Sequence, residues 1–329
     1  MKNLTLRQLR VFEAVARHLS FSRAAAELHL TQPAVSMQVR ALEEEAGLPL
    51  TEQLGKKIFL TDAGAELARQ ARLVAQQLAA AADALAAIRG LASGRLAVGV
   101  VSTAKYFAPR LLTLFRARHP GIELHLSVAN RQTIVHQLAD NVIDMAIMGR
   151  PPEELDTAAD IFAPNPQVII AAPEHALARK RKLVAADLVG DTFLIREPGS
   201  GTRSAMERFF LDQGIVLRHS FEMSSNETIK QAVMAGMGLS LISEHTIRLE
   251  LQAGLLVRLP VAGLPLMRHW HVVRLTEKQL SPLAESFRLF LIDEGETLLA
   301  CGGKRRVRKT AAPTASAAGG SPVAKANRR

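Results

Sequence analysis

The sequence predicts an α/β protein in three parts: a winged helix-turn-helix, a long linker helix and a two-lobed α/β domain. Three observations support this fold class. Two short helical patterns flank a three-residue turn at 29–31. Apolar residues then recur at alternating steps of four and three between 62 and 88, which is typical of a helix that pairs with another. From residue 94 to about 293, strand patterns alternate with helical ones, which predicts a parallel sheet covered by helices on both faces.

Composition and length exclude several classes of protein. The chain has 329 residues, and 48% of them are hydrophobic, which is enough to fill sizeable cores. The single cysteine, Cys301, allows no intrachain disulfide framework, so a reducing compartment is expected. The first helix carries Arg7, Arg10 and Glu13, unlike the apolar stretch of a signal peptide. No stretch has the length and apolarity of a membrane span, and we therefore expect a cytoplasmic protein with no membrane partner.

The first sixty residues are expected to form three helices and a β-hairpin. Apolar residues at helical spacing between 4 and 19 predict the first helix. Ser22 is expected to cap a short second helix that ends near Leu28. Thr31 is expected to cap a third helix, which has a proline in its first turn and ends at Gly47. The second and third helices then form a helix-turn-helix.

The third helix has the position of a recognition helix. Its inner face carries Val35, Val39 and Leu42, and its opposite face is mostly polar. The N-terminal residues of such a helix reach base edges in the major groove, where glutamine can pair with adenine. Residues 50–60 are expected to form a hairpin whose basic tip suits the DNA backbone or the minor groove. The alternative is a small three-helix bundle that never touches DNA. The candidate DNA contacts are Ser22, Arg23, Thr31, Gln32, Pro33, Ser36, Met37, Arg40, Lys56 and Lys57.

A long helix is predicted from about Asp62 to Ile88, closed by Gly90. Its apolar positions hold a heptad spacing for about three heptads, which favours a coiled coil between two copies of the chain. The alternative is one apolar face packed inside its own domain. We call the repeated positions the seam; they are Leu67, Ala71, Val74, Leu78, Ala81, Leu85 and Ile88.

The positive net charge of +10 lies mainly in the last residues of the chain. The segment 302–329 contains eight basic and no acidic residues, which leaves 33 basic against 31 acidic residues elsewhere. Because it lacks an apolar period, this segment is expected to be a disordered basic tail. It either adds weak, salt-sensitive attraction to DNA or serves as an inert solubilising tail.

Polar residues follow two of the predicted strands in the α/β domain. Ser102 and Thr103 come directly after the first strand, and the segment 198–203 follows another. Ligands of open α/β lobes sit outside the carboxyl ends of the strands, where a helix N-terminus favours an anion. With Arg203 at the same place, the sequence predicts a carboxylate or phosphate ligand. Two alternatives stay open: the Gly-Ser-Gly sequence is a simple helix-opening turn, and Arg203 is a surface ion-pair residue.

Catalytic and metal chemistry find no support in the sequence. It has no nucleophile elbow, no clustered cysteine and histidine ligands, and no paired acids in the strand-end loops. His269 and His271 alternate on a late strand, a spacing more typical of packing than of metal binding. No catalytic residue, metal or cofactor is therefore predicted. The helix-turn-helix also argues against a transport-type solute-binding protein.

Three segments carry a family resemblance: Phe21–Ser36, Ala41–Glu43 and Leu60–Gly64. They resemble the LysR-type transcriptional regulators, and the resemblance extends over residues 1 to about 295. It implies a winged helix-turn-helix that binds promoter DNA, a linker helix that pairs antiparallel between subunits, and a periplasmic-binding-protein-like effector domain, usually in a homotetramer. An activator, with RNA polymerase as a further partner, is the family expectation. One departure is Thr51, where the family usually has phenylalanine, and it is expected to loosen the packing under the hairpin.

Several segments of the effector domain are similar to one branch of this family, the regulators of Calvin-cycle (RuBisCO) operons. That likeness implies an effector such as NADPH, ribulose bisphosphate or phosphoenolpyruvate. The alternative is a regulator of another metabolic operon with a different carboxylate or phosphate effector. The candidate effector contacts are Ser102, Thr103, Lys105, Asn130, Arg131, Arg150, Gly201, Thr202, Arg203 and Asn226.

The predicted organisation therefore has four parts. The DNA-binding domain covers 1–61, and the dimerising linker helix covers 62–90. The effector domain covers 94–295, with lobe I at about 94–164 and 267–295 and lobe II at about 165–266. The tail covers 302–329. Closure of the effector cleft is expected to change the spacing of the DNA-binding heads.

Overall fold

A computed structural model of the protein describes residues 4–55, 57–88 and 94–300. Its N-terminal domain contains three helices and an antiparallel hairpin, in which Thr51 pairs with Leu60 and Leu54 with Lys57. Within the described residues no helix is long and apolar enough to cross a membrane. The elements of this domain are α1 (Leu6–His18), α2 (Phe21–Glu27), α3 (Gln32–Ala46), β1 (Thr51–Leu54) and β2 (Lys57–Leu60).

The caps of α2 and α3 set the angle of the helix-turn-helix. Thr31 caps α3 as predicted, since its hydroxyl accepts a hydrogen bond from the Ala34 amide at 3.4 Å. Gly47 ends the helix in the left-handed region, with φ of 70°. The prediction for α2 was wrong, because Ser20 rather than Ser22 is the cap and accepts from the Arg23 amide at 3.3 Å. Ser20 has the extended backbone that a cap requires, whereas Ser22 lies within the helix.

Glu43 joins the recognition helix to the wing. One of its carboxylate oxygens accepts hydrogen bonds from the amides of Leu50 and Thr51, at 2.9 and 3.1 Å. The Thr51 hydroxyl lies 3.2 Å from the same oxygen. The departure at Thr51 therefore adds a polar tie beneath the hairpin, and the loosening expected there is not observed. The neighbouring Glu44 pairs with Arg40 at 3.3 Å on the exposed face.

The linker helix α4 (Asp62–Ile88) follows the wing directly. Ala71 is buried against the N-terminal domain, but Val74, Leu78 and Leu85 are 38, 51 and 61% exposed. Most of the described seam therefore does not pack inside its own chain. The side chain of Ile88 and the whole of Gly90 lie outside the described residues.

The effector domain begins with a parallel three-stranded unit and its helices. The central strand β3 pairs with β4 on one side and β5 on the other. A fifteen-residue strand then continues from this lobe into the next. These elements are β3 (Arg95–Val101), α5 (Ala108–Arg118), β4 (Glu123–Ala129), α6 (Arg131–Ala139), β5 (Met145–Met148) and β6 (Thr157–Ala171).

The second half of the effector domain completes lobe II and returns to lobe I. Its cores separate accordingly, with one around Trp270, Phe115 and Phe287 in lobe I and two in lobe II. The elements are β7 (Phe193–Arg196), α7 (Gly201–Asp212), β8 (Ser220–Met223), α8 (Asn226–Met234), β9 (Ser240–Ser243), α9 (Arg248–Gln252), β10 (Val257–Arg258), β11 (Leu266–Leu275) and α10 (Pro282–Ala300).

The large sheet is mixed, which corrects the expectation of a parallel sheet. Only the pairs of β3 with β4 and β5 are parallel in it; β6, β9, β10 and β11 pair antiparallel among the described strands. The strand β6 contains Pro164 and Pro166, which lie opposite His269 and Met267 of β11 and before the stretch that pairs with β9. The two crossing strands, β6 and β11, form the hinge between the lobes.

Gly64 is the point of closest approach between α4 and the wing. A Cβ at this position would lie 1.9 Å from the backbone oxygen of Leu50. We expect Gly64→Ala to lower the free energy of unfolding by more than about 2 kcal/mol, because backbone must move. The matched variant Gly55→Ala has a φ of +63° but open space, and should lose only about 1 kcal/mol. Urea unfolding followed by circular dichroism compares them, and equal losses would contradict the close approach.

Candidate functional site

The predicted DNA-reading residues lie on the surface of the helix-turn-helix. Thr31, Gln32 and Pro33 at the start of α3 are exposed, and Met37 is 71% exposed one turn later. Ser36 is partly buried between them. Because an α-helix brings positions three and four apart to one face, this surface offers amide, hydroxyl and apolar groups to base edges.

Basic residues flank that face. Arg40 pairs with Glu44 in the open, and an exposed pair of this kind contributes little stability, so the guanidinium can exchange its partner for a phosphate. Arg23 is exposed but donates to the backbone oxygen of His18 at 2.7 Å, and Ser22 is exposed beside it. Lys57 is exposed on the wing, whereas Lys56 lies outside the described residues.

The lobes of the effector domain enclose a small cavity at the carboxyl ends of β3 and β5. Six of the ten predicted effector contacts line it: Ser102, Thr103, Arg131, Arg150, Gly201 and Thr202. The sequence analysis missed several lining residues, which lie in β6, β7, β9 and β11 or in the turn before α7; they are Asn165, Gln167, Arg196, Glu197, Ser200, Ser243 and Arg268.

Four predicted contacts do not line this cavity. Lys105 lies 5.2 Å from the centre of the Tyr106 ring. Asn130 caps α6, accepting from the Thr133 amide at 2.9 Å. Arg203 turns outward to Glu207 and Glu222, at 2.8 and 2.7 Å, which is the surface ion-pair arrangement left open above. The fourth, Asn226, is buried behind the cavity wall and accepts from Arg196 at 2.6 Å.

Arg268 is the central cation of the cavity. It donates to the backbone oxygens of Gly201 at 2.5 Å and Gly149 at 3.4 Å. No carboxylate of the described residues lies within ion-pair distance of it. Burial, together with the charges of Arg150 and Arg131, lowers the pKa of Arg268 from its usual value. A partly buried guanidinium with two like charges nearby and no acid within ion-pair distance favours the binding of an anion.

The N-terminus of α7 meets Arg268 in the cavity. Ser200 at the N-cap has an extended backbone, and its side chain makes no capping hydrogen bond. The first amides of this twelve-residue helix therefore keep free donors at its positive end. Gly201 and Thr202 bring these donors to the cavity wall. Helix amides and a fixed arginine together suit a carboxylate or phosphate group.

The hinge strands supply a buried polar floor. The Asn165 side-chain oxygen accepts from Gln167 at 2.8 Å and from the Ser243 hydroxyl at 2.7 Å. Gln167 is 1% exposed, and its own side-chain oxygen has no hydrogen-bond partner within the described part of the chain. A buried acceptor is normally paired with a hydrogen-bond donor. A hydroxyl of a bound ligand, or an ordered water molecule, would provide one.

Besides the bond from Arg268 to Gly201, two further hydrogen bonds between described residues cross from one lobe to the other near the cavity. Arg196 of lobe II is held by both oxygens of Glu197 at 2.7 Å and donates to the Ser102 hydroxyl of lobe I at 3.1 Å. Tyr106 of lobe I donates to Glu227 of lobe II at 3.2 Å. These contacts hold the lobes together around the cavity.

Residues 6–65 match the family model described as a bacterial regulatory helix-turn-helix protein, lysR family, and residues 89–296 match the LysR substrate binding domain. The chain belongs to the LysR family of transcriptional regulators. It is thus a DNA-binding regulator with an effector domain, and not an enzyme.

Relatives of this LysR-family chain are similar over nearly their whole length. The transcriptional regulator CbbR of Rhodospirillum rubrum is 54% identical over 286 residues, covering 87% of this chain and 95% of that protein. The CcmR regulatory domain of Synechocystis PCC6803, solved in complex with 2-PG, is 41% identical with a TM-score of 0.58, covering 60% of this chain and 95% of that one. A full-length OxyR variant of Pseudomonas aeruginosa is 22% identical with a TM-score of 0.70, covering 91% and 95%, and shows the shared fold.

His245 and Trp270 form a polar contact inside the hinge of this LysR-family domain. The Trp270 ring nitrogen donates to His245 Nδ1 at 3.1 Å, and Phe107 packs edge-on against Trp270 at 4.9 Å. Burial, and then the charge of Arg248, lowers the pKa of His245 to about 4. The ring is therefore neutral at pH 7, and its Nδ1 is the acceptor.

We expect this histidine to make the effector domain sensitive to acid. Its pKa is about 4 in the folded chain, against an ordinary value of 6.5. As the pH falls from 7 to 5, the unfolded chain takes up a proton that the folded chain does not, so stability should fall by about 2 kcal/mol. Trp270 is the single tryptophan, so its fluorescence in urea titrations at both pH values measures this loss. His245→Gln should show a shallower pH dependence; an unchanged one would contradict the assignment.

Proposed function

We propose that this LysR-family protein regulates carbon-fixation genes in response to a compact phosphorylated carboxylate bound between its lobes. The anion site made by Arg268 and the N-terminus of α7 carries the proposal. Support comes from relatives described as regulators of RuBisCO operons and from a related regulatory domain solved with 2-PG, taken here as 2-phosphoglycolate. The small cavity, lined by Arg131, Arg150 and Arg268, suits a small dianion, and ribulose bisphosphate, phosphoenolpyruvate and NADPH are competing candidates.

We further propose that the seam on α4 pairs with a second copy of the chain. Val74 and Leu78 are exposed there, and with Leu6 and Leu9 of α1 they line an apolar groove. A large exposed apolar groove on a linker helix is typical of a dimer interface. A dimer would present two recognition helices to two half-sites, and a tetramer would span two such pairs. Contact of the assembly with RNA polymerase, expected of an activator, stays a prediction.

The link between effector and DNA would pass through the turn at Asp140 and Asn141. Arg72 of α4 donates to the Asp140 carboxylate at 3.0 Å and to its backbone oxygen at 2.7 Å, and Gln76 donates to the Asn141 backbone oxygen. The Lys278 ammonium donates a hydrogen bond to the side-chain oxygen of Asn141 at 2.7 Å. A rotation of lobe I would therefore carry α4 with it and change the position of the DNA-binding heads.

DNA binding tests the regulatory function. Fluorescence anisotropy would be measured on DNA from upstream of the protein's own gene at two salt concentrations. Gln32→Ala should weaken selective binding about tenfold, since one base-reading contact contributes about 1–3 kcal/mol. Gln213→Ala, an exposed glutamine at the end of α7, should leave the affinity unchanged. Weak, unselective and salt-sensitive DNA binding by the wild type and both variants would mean that the basic tail causes the binding, and would overturn the proposal.

The same measurement identifies the effector class. Addition of 2-phosphoglycolate, ribulose bisphosphate, phosphoenolpyruvate or NADPH in turn should shift the DNA affinity for at least one of them. A shift by any of them supports the carbon-fixation assignment. Selective DNA binding that ignores all four would favour a regulator of another metabolic operon with a different anion.

Two arginines distinguish the observed site from the one predicted by sequence. Arg268→Gln should weaken 2-phosphoglycolate binding more than about tenfold, because a charge-assisted hydrogen bond in a buried site is lost. Arg203→Gln should change it less than about twofold, since that side chain faces Glu207 and Glu222 outside the cavity. Isothermal titration calorimetry measures both. The reverse order would show that the anion binds at the Arg203 side of α7.

A further inference from the structure

A second cavity lies behind the hinge, on the face opposite the effector cleft. Neighbouring residues of a strand point to opposite faces. In β6, Asn165 and Gln167 line the effector cleft, whereas Pro164 and Pro166 line a separate cavity of about 380 Å³. In β11 the same alternation places Arg268 in the cleft and Met267 in the rear cavity. The two hinge strands thus separate two cavities.

Both lobes contribute walls to this rear cavity. His245 and Arg248 come from the segment after β9 in lobe II, and Glu296 and Leu299 come from α10 in lobe I. One hydrogen bond joins these walls, from Arg248 to the backbone oxygen of Leu299 at 2.7 Å. A molecule seated there would touch both lobes and both hinge strands, so it would bias the angle between the lobes.

The charges at the cavity point to the class of ligand. No carboxylate of the described residues lies within ion-pair distance of Arg248, and the nearby Glu244 is occupied by Arg258 at 2.7 Å. His245 adds a neutral ring whose Nδ1 already accepts a hydrogen bond from Trp270. Glu296 is exposed at the rim. The apolar wall is formed by Pro164, Pro166, Leu251, Met267 and Leu299.

We propose that the cavity behind the hinge is a second ligand site, which binds a small amphipathic carboxylate with its anion on Arg248 and its hydrocarbon part on the apolar wall. An unpaired guanidinium beside a mainly apolar wall matches an acid with a short hydrocarbon chain. A dianion of the kind proposed for the cleft lacks the apolar part. The site extends the regulatory function with an input that is separate from the cleft.

Hexanoate is a suitable probe, with hexylammonium and hexanol as charge controls at constant ionic strength. Trp270 reports binding, because it is the single tryptophan and its ring nitrogen is bonded to His245 in the cavity wall. Hexanoate should change the fluorescence of the full chain along a saturable curve in the millimolar range, as expected for a ligand of so few atoms. The two controls should give no saturable change. Equal responses to all three compounds would overturn the proposal.

Charge variants locate the site. Arg248→Gln should weaken hexanoate binding about tenfold or more. That change also removes the hydrogen bond to Leu299, so a second pair of variants changes the charge at Gln252, which is exposed at the cavity. Gln252→Lys should strengthen hexanoate binding and Gln252→Glu should weaken it, each by about two- to fivefold. Arg218→Gln, an exposed arginine of the same lobe, should have no effect. Hexanoate affinities that ignore the charge at 248 and 252 would overturn the proposal.

Binding measurements on a variant of the effector cleft distinguish the two sites. Arg268→Gln should lose 2-phosphoglycolate binding but bind hexanoate as the wild type does. Loss of hexanoate binding in this variant would place the carboxylate in the cleft and overturn the second site. Since hexanoate binding is measured without any phosphorylated effector, a failure of the proposed effector would be seen separately.

Discussion

The antiparallel pairing of β6 with β11 is the constraint on which the rest of the effector domain depends. Their register runs from Leu266 opposite Gln167 to Leu275 opposite Thr157, through both lobes. Because alternate side chains of these strands face opposite sides, one pair of strands supplies the floor of the effector cleft and the wall of the rear cavity. The hydrogen-bonded ladder keeps the strands together while the lobes on either side have separate cores, so rotation at the hinge changes both cavities at once.

Electrostatics support the proposal that the cleft binds an anion, although the folded part of the chain is nearly neutral. Arg131 and Arg150 are balanced by Glu154 and Glu153 at the rim, but Arg268 is fixed by backbone oxygens alone. Backbone oxygens orient a guanidinium without neutralising its charge. The positive end of α7 lies against the same cation, so their attractions for an anion add.

The connection between the effector domain and the DNA-binding head is also specific. Arg72 and Gln76 attach α4 to the turn at Asp140 and Asn141. Asn141 has a φ of 57°, and the hydrogen bond from Lys278 to its buried side chain helps to stabilise that backbone conformation. Nearer its start, Gly64 lets α4 pass close to the wing. The first half of the linker helix thus contacts both the DNA-binding domain and the effector domain.

The sequence by itself determined the local elements, because caps, turns and apolar periods act over a few residues. It located α3 between Thr31 and Gly47, the helical seam of α4, and the polar strand ends at Ser102 and Thr202. Only the tertiary structure decided which side chains meet. Arg203 and Asn130 have the residue types of ligand contacts but bind neighbours in their own lobes, whereas Arg268 is far from Gly201 in sequence and reaches the anion site through the crossing of β11. The order of pairing in a mixed sheet depends on long-range contacts, and no local pattern encodes them.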